Sequence, residues 1–161
     1  MSDLLDWVEQ KSSENLAFRS AMNEALNKDA NNFLTILITA MGATSAFAVN
    51  HYSSQRTDEL FVGAVATSFW LFLLAAILVI KCIMTRLHLP PGNEPASLYQ
   101  KNHSLEAIRE AELKNTQFVI NKITEECEAY STWLDRVRLL TLFSPFVFLI
   151  SSWVRLPALC V

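Results

Sequence analysis

A chain of 161 residues that is 52% apolar, with a mean hydropathy of +0.24, is about one domain long and more apolar than ordinary soluble proteins. Its net charge of −3 and pI near 5.6 speak against nucleic acid as a partner, because neutralising phosphates requires a basic surface. About half of the apolar residues lie in three runs, and if these cross lipid only residues 1–32 and 81–138 are left for water, too little for most catalytic folds.

Residues 3–28 have the spacing of an amphipathic helix, with a candidate break at Ser12-Ser13. Phe18, Ala21, Met22, Ala25 and Leu26 fall on one face, and Ser20, Asn23, Glu24 and Asn27 on the other. No Pro or Gly separates this helix from the first apolar run, residues 33–49. The second run, residues 60–80, holds no charge over 21 residues and is long enough to cross a hydrocarbon core of roughly 30 Å. The third is residues 139–154. With mildly polar flanks, 31–52 and 139–161 also reach spanning length. One such run alone reads equally well as a buried soluble helix; three in so short a chain predict a membrane protein.

The expected fold is all-α, with three transmembrane helices. It comprises a cytosolic amphipathic helix (1–32), a two-span hairpin (33–80), a Pro-rich linker (81–103), a cytosolic coiled-coil-like helix (104–138) and a third span (139–161). The ten polar residues 50–59 force the first two spans to be antiparallel. Pro90-Pro91-Gly92 stops any helix extending beyond the second span, and Pro95 keeps the linker irregular.

In the long polar helix, Leu113, Thr116, Ile120, Ile123, Cys127, Tyr130, Leu134 and Val137 recur at alternating spacings of three and four, a seam of about three and a half heptads. So narrow a stripe wants a partner, either the N-terminal helix of the same chain or the same helix in another subunit. The helix is expected to run straight into the third span, with Trp133, Arg136 and Arg138 at one interface and Trp153 and Arg155 at the other. Pro145 is the candidate kink. With the N-terminus in the cytosol, eleven lysines and arginines lie inside and only Arg56 and Arg155 outside, which predicts N-in, C-out in the bacterial inner membrane.

The spans hold no acid, base or histidine, which argues against proton-coupled transport and intramembrane proteolysis. Their polarity is hydroxyl only, and small residues recur at four-residue spacing, the pattern that lets helices approach closely in lipid. Thr39, Ala43, Thr44, Ala48, Gly63, Thr67 and Ser68 are the candidate oligomer-packing or path-lining residues. Leu113, Ile120, Ile123, Tyr130, Leu134 and Val137 are the candidate cytosolic seam. A homo-oligomer in the bilayer is expected, with a cytosolic protein or sensor as a further partner.

His51, His88 and His103 lie apart, and no nucleophile, zinc or phosphate-loop motif occurs, so neither a catalytic activity nor a cofactor is expected. Cys82, Cys127 and Cys160 have no disulfide or metal spacing. Glu125, Glu126 and Glu128 read as a solvated face, with a divalent site as the sharper alternative. The acidic N-terminus is not a secretory signal, and neither end carries a lipidation box.

The order of parts, with Lys28-Asp29-Ala30-Asn31-Asn32-Phe33-Leu34 entering the first span, resembles small bacterial phage-defence membrane proteins: the Pycsar transmembrane effector family and the related SLATT-type effectors. The Pycsar-type family often has an Asp-x-Lys-Ala step here; this chain keeps Asp29 but carries Asn31 and Asn32 in place of Lys and Ala. The resemblance implies an oligomer that permeabilises or depolarises the inner membrane when a partner or nucleotide signal is sensed. A membrane-anchored adaptor, whose cytosolic helix recruits a partner, is the second expectation. A phage-type holin or exclusion protein is the third.

Overall fold

The computed structural model describes residues 2–54, 59–84 and 104–153, and within them the chain is all-helical. Helix α1 is Ser2–Ser53 and α2 is Glu59–Leu78, closed by a π turn over Val79–Ile83. Helices α3 (Leu105–Leu142) and α4 (Ser144–Trp153) complete the order. The tip of the 50–59 loop, the Pro90-Pro91-Gly92 linker, His88, His103, Arg155 and Cys160 lie outside the described residues.

Two compact units share these helices. One comprises residues 1–27 and 86–131, the other 28–85 and 132–161. The long helices α1 and α3 contribute to both.

Helix α1 passes Ser12-Ser13 unbroken, contrary to the expected break there. Across those serines, Gln10 (3.1 Å) and Lys11 (2.6 Å) both donate to the Glu14 carboxylate and support the turn. At the start of α3, Ser104 is the cap: its hydroxyl accepts from the Ala107 N–H (3.3 Å) and its carbonyl from the Ile108 N–H (3.1 Å).

In the first unit α1 and α3 run parallel, with Glu9 beside Arg109 and Leu26 beside Tyr130. Val119, Ile120, Cys127 and Tyr130 are its buried residues on α3. The seam therefore packs on the N-terminal helix of the same chain, one of the two partners that its spacing allowed.

The second unit has α1 and α2 antiparallel, with Ser45 beside Ser68 and Tyr52 beside Phe61. Helix α2 buries Ala64, Leu71, Leu74, Ala75, Leu78 and Cys82, a single stripe at helical spacing. Leu134 and Val137 of α3 are buried in this unit too. The Met84 N–H closes the π turn on the Val79 carbonyl at 2.9 Å, five residues back.

The long helix runs into the third apolar run as expected, and it is interrupted at Phe143, two residues before the candidate kink Pro145. Pro145 has no N–H for the Thr141 carbonyl, and its ring crowds that turn. The Phe143 N–H retreats to a three-residue bond on Leu140, and its carbonyl starts α4 by accepting from Phe146 and Val147. The buried hydroxyl oxygen of Ser144, a natural candidate to repair the ladder, has no hydrogen-bond partner among the described residues.

Two helices are long and apolar enough to cross a membrane: α1 with its 33–49 run, and α2 with the π turn, Glu59–Ile83.

Candidate functional site

Small residues at helical spacing let α1 and α2 approach, and the approach brings two hydroxyls together. Ser45 and Ser68 lie 2.6 Å apart, one donating to the other between otherwise apolar helices. Beside them opens a groove of about 430 Å³ lined by Met41, Ala48, Val49, Val65, Phe69 and Phe72. The remaining hydroxyls bond back to their own helices: Thr39 to the Thr35 carbonyl (2.8 Å), Thr44 to that of Ala40 (3.1 Å) and Thr67 to that of Gly63 (2.8 Å). Each satisfies itself, so none demands water in an apolar setting.

Gly63 marks where α2 meets α4. A Cβ at this position would lie 2.3 Å from the Ser152 hydroxyl and 3.1 Å from the Phe148 carbonyl. Only glycine allows that approach. Gly42 on α1 differs: a Cβ there meets nothing within 4 Å.

The seven residues expected to pack or line a path therefore separate. Gly63 and Thr67 are buried, Gly63 against α4, and Ala48 is buried at the hairpin groove. Thr44 and Ser68 are half-buried, whereas Thr39 and Ala43 are exposed. Thr35, Thr39, Gly42, Ala43 and Ala46 form one exposed face of small residues on α1.

At the other end of α2, charge and aromatic rings gather. Arg138 donates to Asp29 at 2.6 Å, stands 5.7 Å from the Phe33 ring centre and lies 3.7 Å from Asp135. The Trp133 ring has Lys81 Nζ at 5.5 Å and the Arg136 guanidinium at 5.1 Å from its centre.

In the first unit, Arg109 is the fixed point. Its guanidinium donates to both Glu9 carboxylate oxygens, each at 2.6 Å, and also to Asp6. These bonds hold the Glu9 carboxyl below its ordinary value and the guanidinium above its own. A groove of about 400 Å³ also opens in this unit, lined by Trp7, Val8 and Asn15 of α1 and by Leu113, Gln117 and Ile120 of α3. Of the expected seam, Ile120, Tyr130, Leu134 and Val137 are buried, and Leu113 and Ile123 are half-buried. Tyr130 donates to the Leu26 carbonyl at 3.1 Å.

Among the described residues no group of three or more His, Cys, Asp or Glu side chains is placed to hold a metal ion, Glu125, Glu126 and Glu128 included. No known protein family matches the chain, and neither curated proteins nor solved structures give a match.

Sequence reasoning missed three pairings: Arg109 with Glu9, Arg138 with Asp29, and Ser45 with Ser68. Each joins residues at least 23 positions apart, and periodicity along one helix does not encode them. A search for opposite charges at matching depths of α1 and α3 would have found the first two.

Proposed function

We propose that this protein is an oligomeric inner-membrane effector that permeabilises or depolarises the bacterial membrane, in the manner of the phage-defence effectors it resembles. The observation that carries the reading is the exposed small-residue face Thr35, Thr39, Gly42, Ala43 and Ala46 on α1. In lipid no hydrophobic drive brings helices together, and small faces are the surfaces on which they pack. A second copy covers this face, and copies closing in a ring turn hydroxyl-bearing α1 helices toward a shared path.

Membrane insertion rests on exposure. In the most apolar eighteen-residue windows of α1 and α2 only 11% and 39% of residues are buried, whereas the core helix of a soluble protein is mostly buried. A third crossing is supported by the course of residues 133–152 along α2. Trp133 stands at the level of Lys81, and Ser152 at the level of Gly63. The interrupted segment thus runs antiparallel to α2 over 18 of its residues, roughly 27 Å. The orientation with the N-terminus and the 104–138 helix in the cytosol and the C-terminus outside is supported by the excess of Lys and Arg in residues 1–32 and 81–138.

The test is membrane potential, read with a voltage-sensitive dye in bacteria expressing the chain alone and then under phage challenge. Depolarisation in either condition is expected, and Ala43→Leu should abolish it. A flat trace in both overturns the effector reading. The adaptor then stands, favoured by one observation: Leu4, Trp7 and Phe118 are exposed in the first unit and offer an apolar surface to a protein partner.

A further inference from the structure

Midway along α2 stands a polar group that lipid does not accommodate. Trp70 is the twelfth of the 25 residues of Glu59–Ile83, so its indole lies near the centre of that crossing. Indoles favour the membrane boundary, where the ring N–H meets water or headgroups. Here the Trp70 ring nitrogen is shut off from solvent and has no hydrogen-bond partner among the described residues.

The break in the third crossing comes at the same level. Trp70 lies eleven residues before Lys81, and Ser144 eleven after Trp133, the ring beside Lys81. Counted from the other end, Trp70 is seven residues after Gly63, and Ser144 eight before Ser152, which abuts Gly63. Seven residues make about two helical turns, so Trp70 shares the face of Gly63 that meets α4. The Ser144 hydroxyl oxygen is likewise buried and without a partner among the described residues. Pro145 offers no N–H to the Thr141 carbonyl, and the Phe146 N–H, due to the Leu142 carbonyl, bonds Phe143 instead. The joint thus gathers an indole donor, a hydroxyl and two carbonyls that have lost their ladder donors.

A buried polar group without a partner raises the free energy of the state that buries it, most of all in lipid. What holds α4 against α2 is packing, closest at Gly63, where the Ser152 hydroxyl and Phe148 carbonyl leave no room for a Cβ. The two ends of this contact oppose each other. At Ser152 it is tight, and at Ser144 it strands polar atoms that water would satisfy.

We propose that α4 is a gate, closed in this structure, that swings from α2 about Phe143. Opening gives Trp70, Ser144 and the freed carbonyls to the water of the path. The gate rests on the effector reading and names the part of the effector that moves.

The test pairs two readings of the full chain: depolarisation in expressing bacteria, by voltage-sensitive dye, and thermal unfolding of the purified protein in detergent. Ser144→Ala and Trp70→Phe each remove one stranded polar atom from the closed form and nearly keep its packing. Each should raise the unfolding midpoint and slow depolarisation about tenfold. Gly63→Ala, which forces α4 from α2, should lower the midpoint and speed depolarisation. A substitution that merely damages the fold lowers the midpoint, so these opposite signs separate a gate from a structural role. A flat trace for wild type, with and without phage, overturns the effector reading and the gate with it. Depolarisation by wild type, with S144A and W70F as fast or faster, overturns the gate alone. Lowered midpoints in both variants would show that these atoms have partners, and would overturn it too.

Discussion

A methyl group at Gly63 would stand 2.3 Å from the Ser152 hydroxyl oxygen, which can rotate away, and 3.1 Å from the Phe148 carbonyl, which cannot move without its helix. Gly63→Ala should therefore destabilise the protein by about 1–3 kcal/mol, the usual range for overpacking. Gly42→Ala, with open space around it, should not destabilise a single chain. Thermal unfolding in detergent compares the two, and equal midpoints would remove the close contact between α2 and α4.

Arg109 makes a second residue-scale statement, through pH. Because Glu9 titrates below its ordinary value of 4.5 when bonded to Arg109, the contribution of the pair is complete above that value. It is lost as pH falls through the depressed folded value. The helix pairing of the first unit should weaken in acid. Arg109→Gln should lower stability at neutral pH and flatten its acid dependence, measured as unfolding midpoints from pH 7 downward. A parallel pH profile in the variant would mean that the contact contributes nothing.

At the level of elements, the seam on α3 was readable because it is periodic. Its spacing placed Ile120, Tyr130, Leu134 and Val137 on one face, and all four are buried. Its partner was not readable, because the same stripe packs equally well on α1 or on a copy of itself. Ile120→Ala should cost about 2–4 kcal/mol, as large-to-small changes in a packed core do. Phe118→Ala, 62% exposed on the same helix, should fall within about 0.5 kcal/mol of wild type. Similar losses for the two would show that burial on this helix is not what stabilises it. Two further features escaped the sequence for different reasons. Pro145 announced a kink, but a local rule does not say whether the ladder bends or stops, and here it stops at Phe143. The π turn has no residue signature at all.

For the whole molecule, hydropathy specified the helices and left the association to be inferred. Apolar side chains such as Ile36, Phe69, Phe72, Phe146 and Ile150 are exposed along the second unit, a surface that water would not tolerate and acyl chains would cover. The chain should accordingly remain with the membrane pellet through an alkaline carbonate wash, and release into the supernatant would contradict insertion. Ala43 and Ala48 show what hydropathy lacked. Both are small, both sit on one apolar run, and only Ala48 is buried within the single chain. A list of small residues does not say which are already used, and that division is what separates intramolecular packing from a surface for another copy.

Each unit also contains a sheltered thiol, Cys127 in the first at 2% exposure and Cys82 in the second at 0%. Alkylating reagents reach such sulfurs only while the surrounding helices are apart, so the rate of modification is a clock for opening. With the two clocks in separate units, peptide mapping of the adducts resolves which unit opens first. Early labelling of Cys127 would mean that the first unit is the less stable of the two. Early labelling of Cys82 would mean that the apolar unit opens before it.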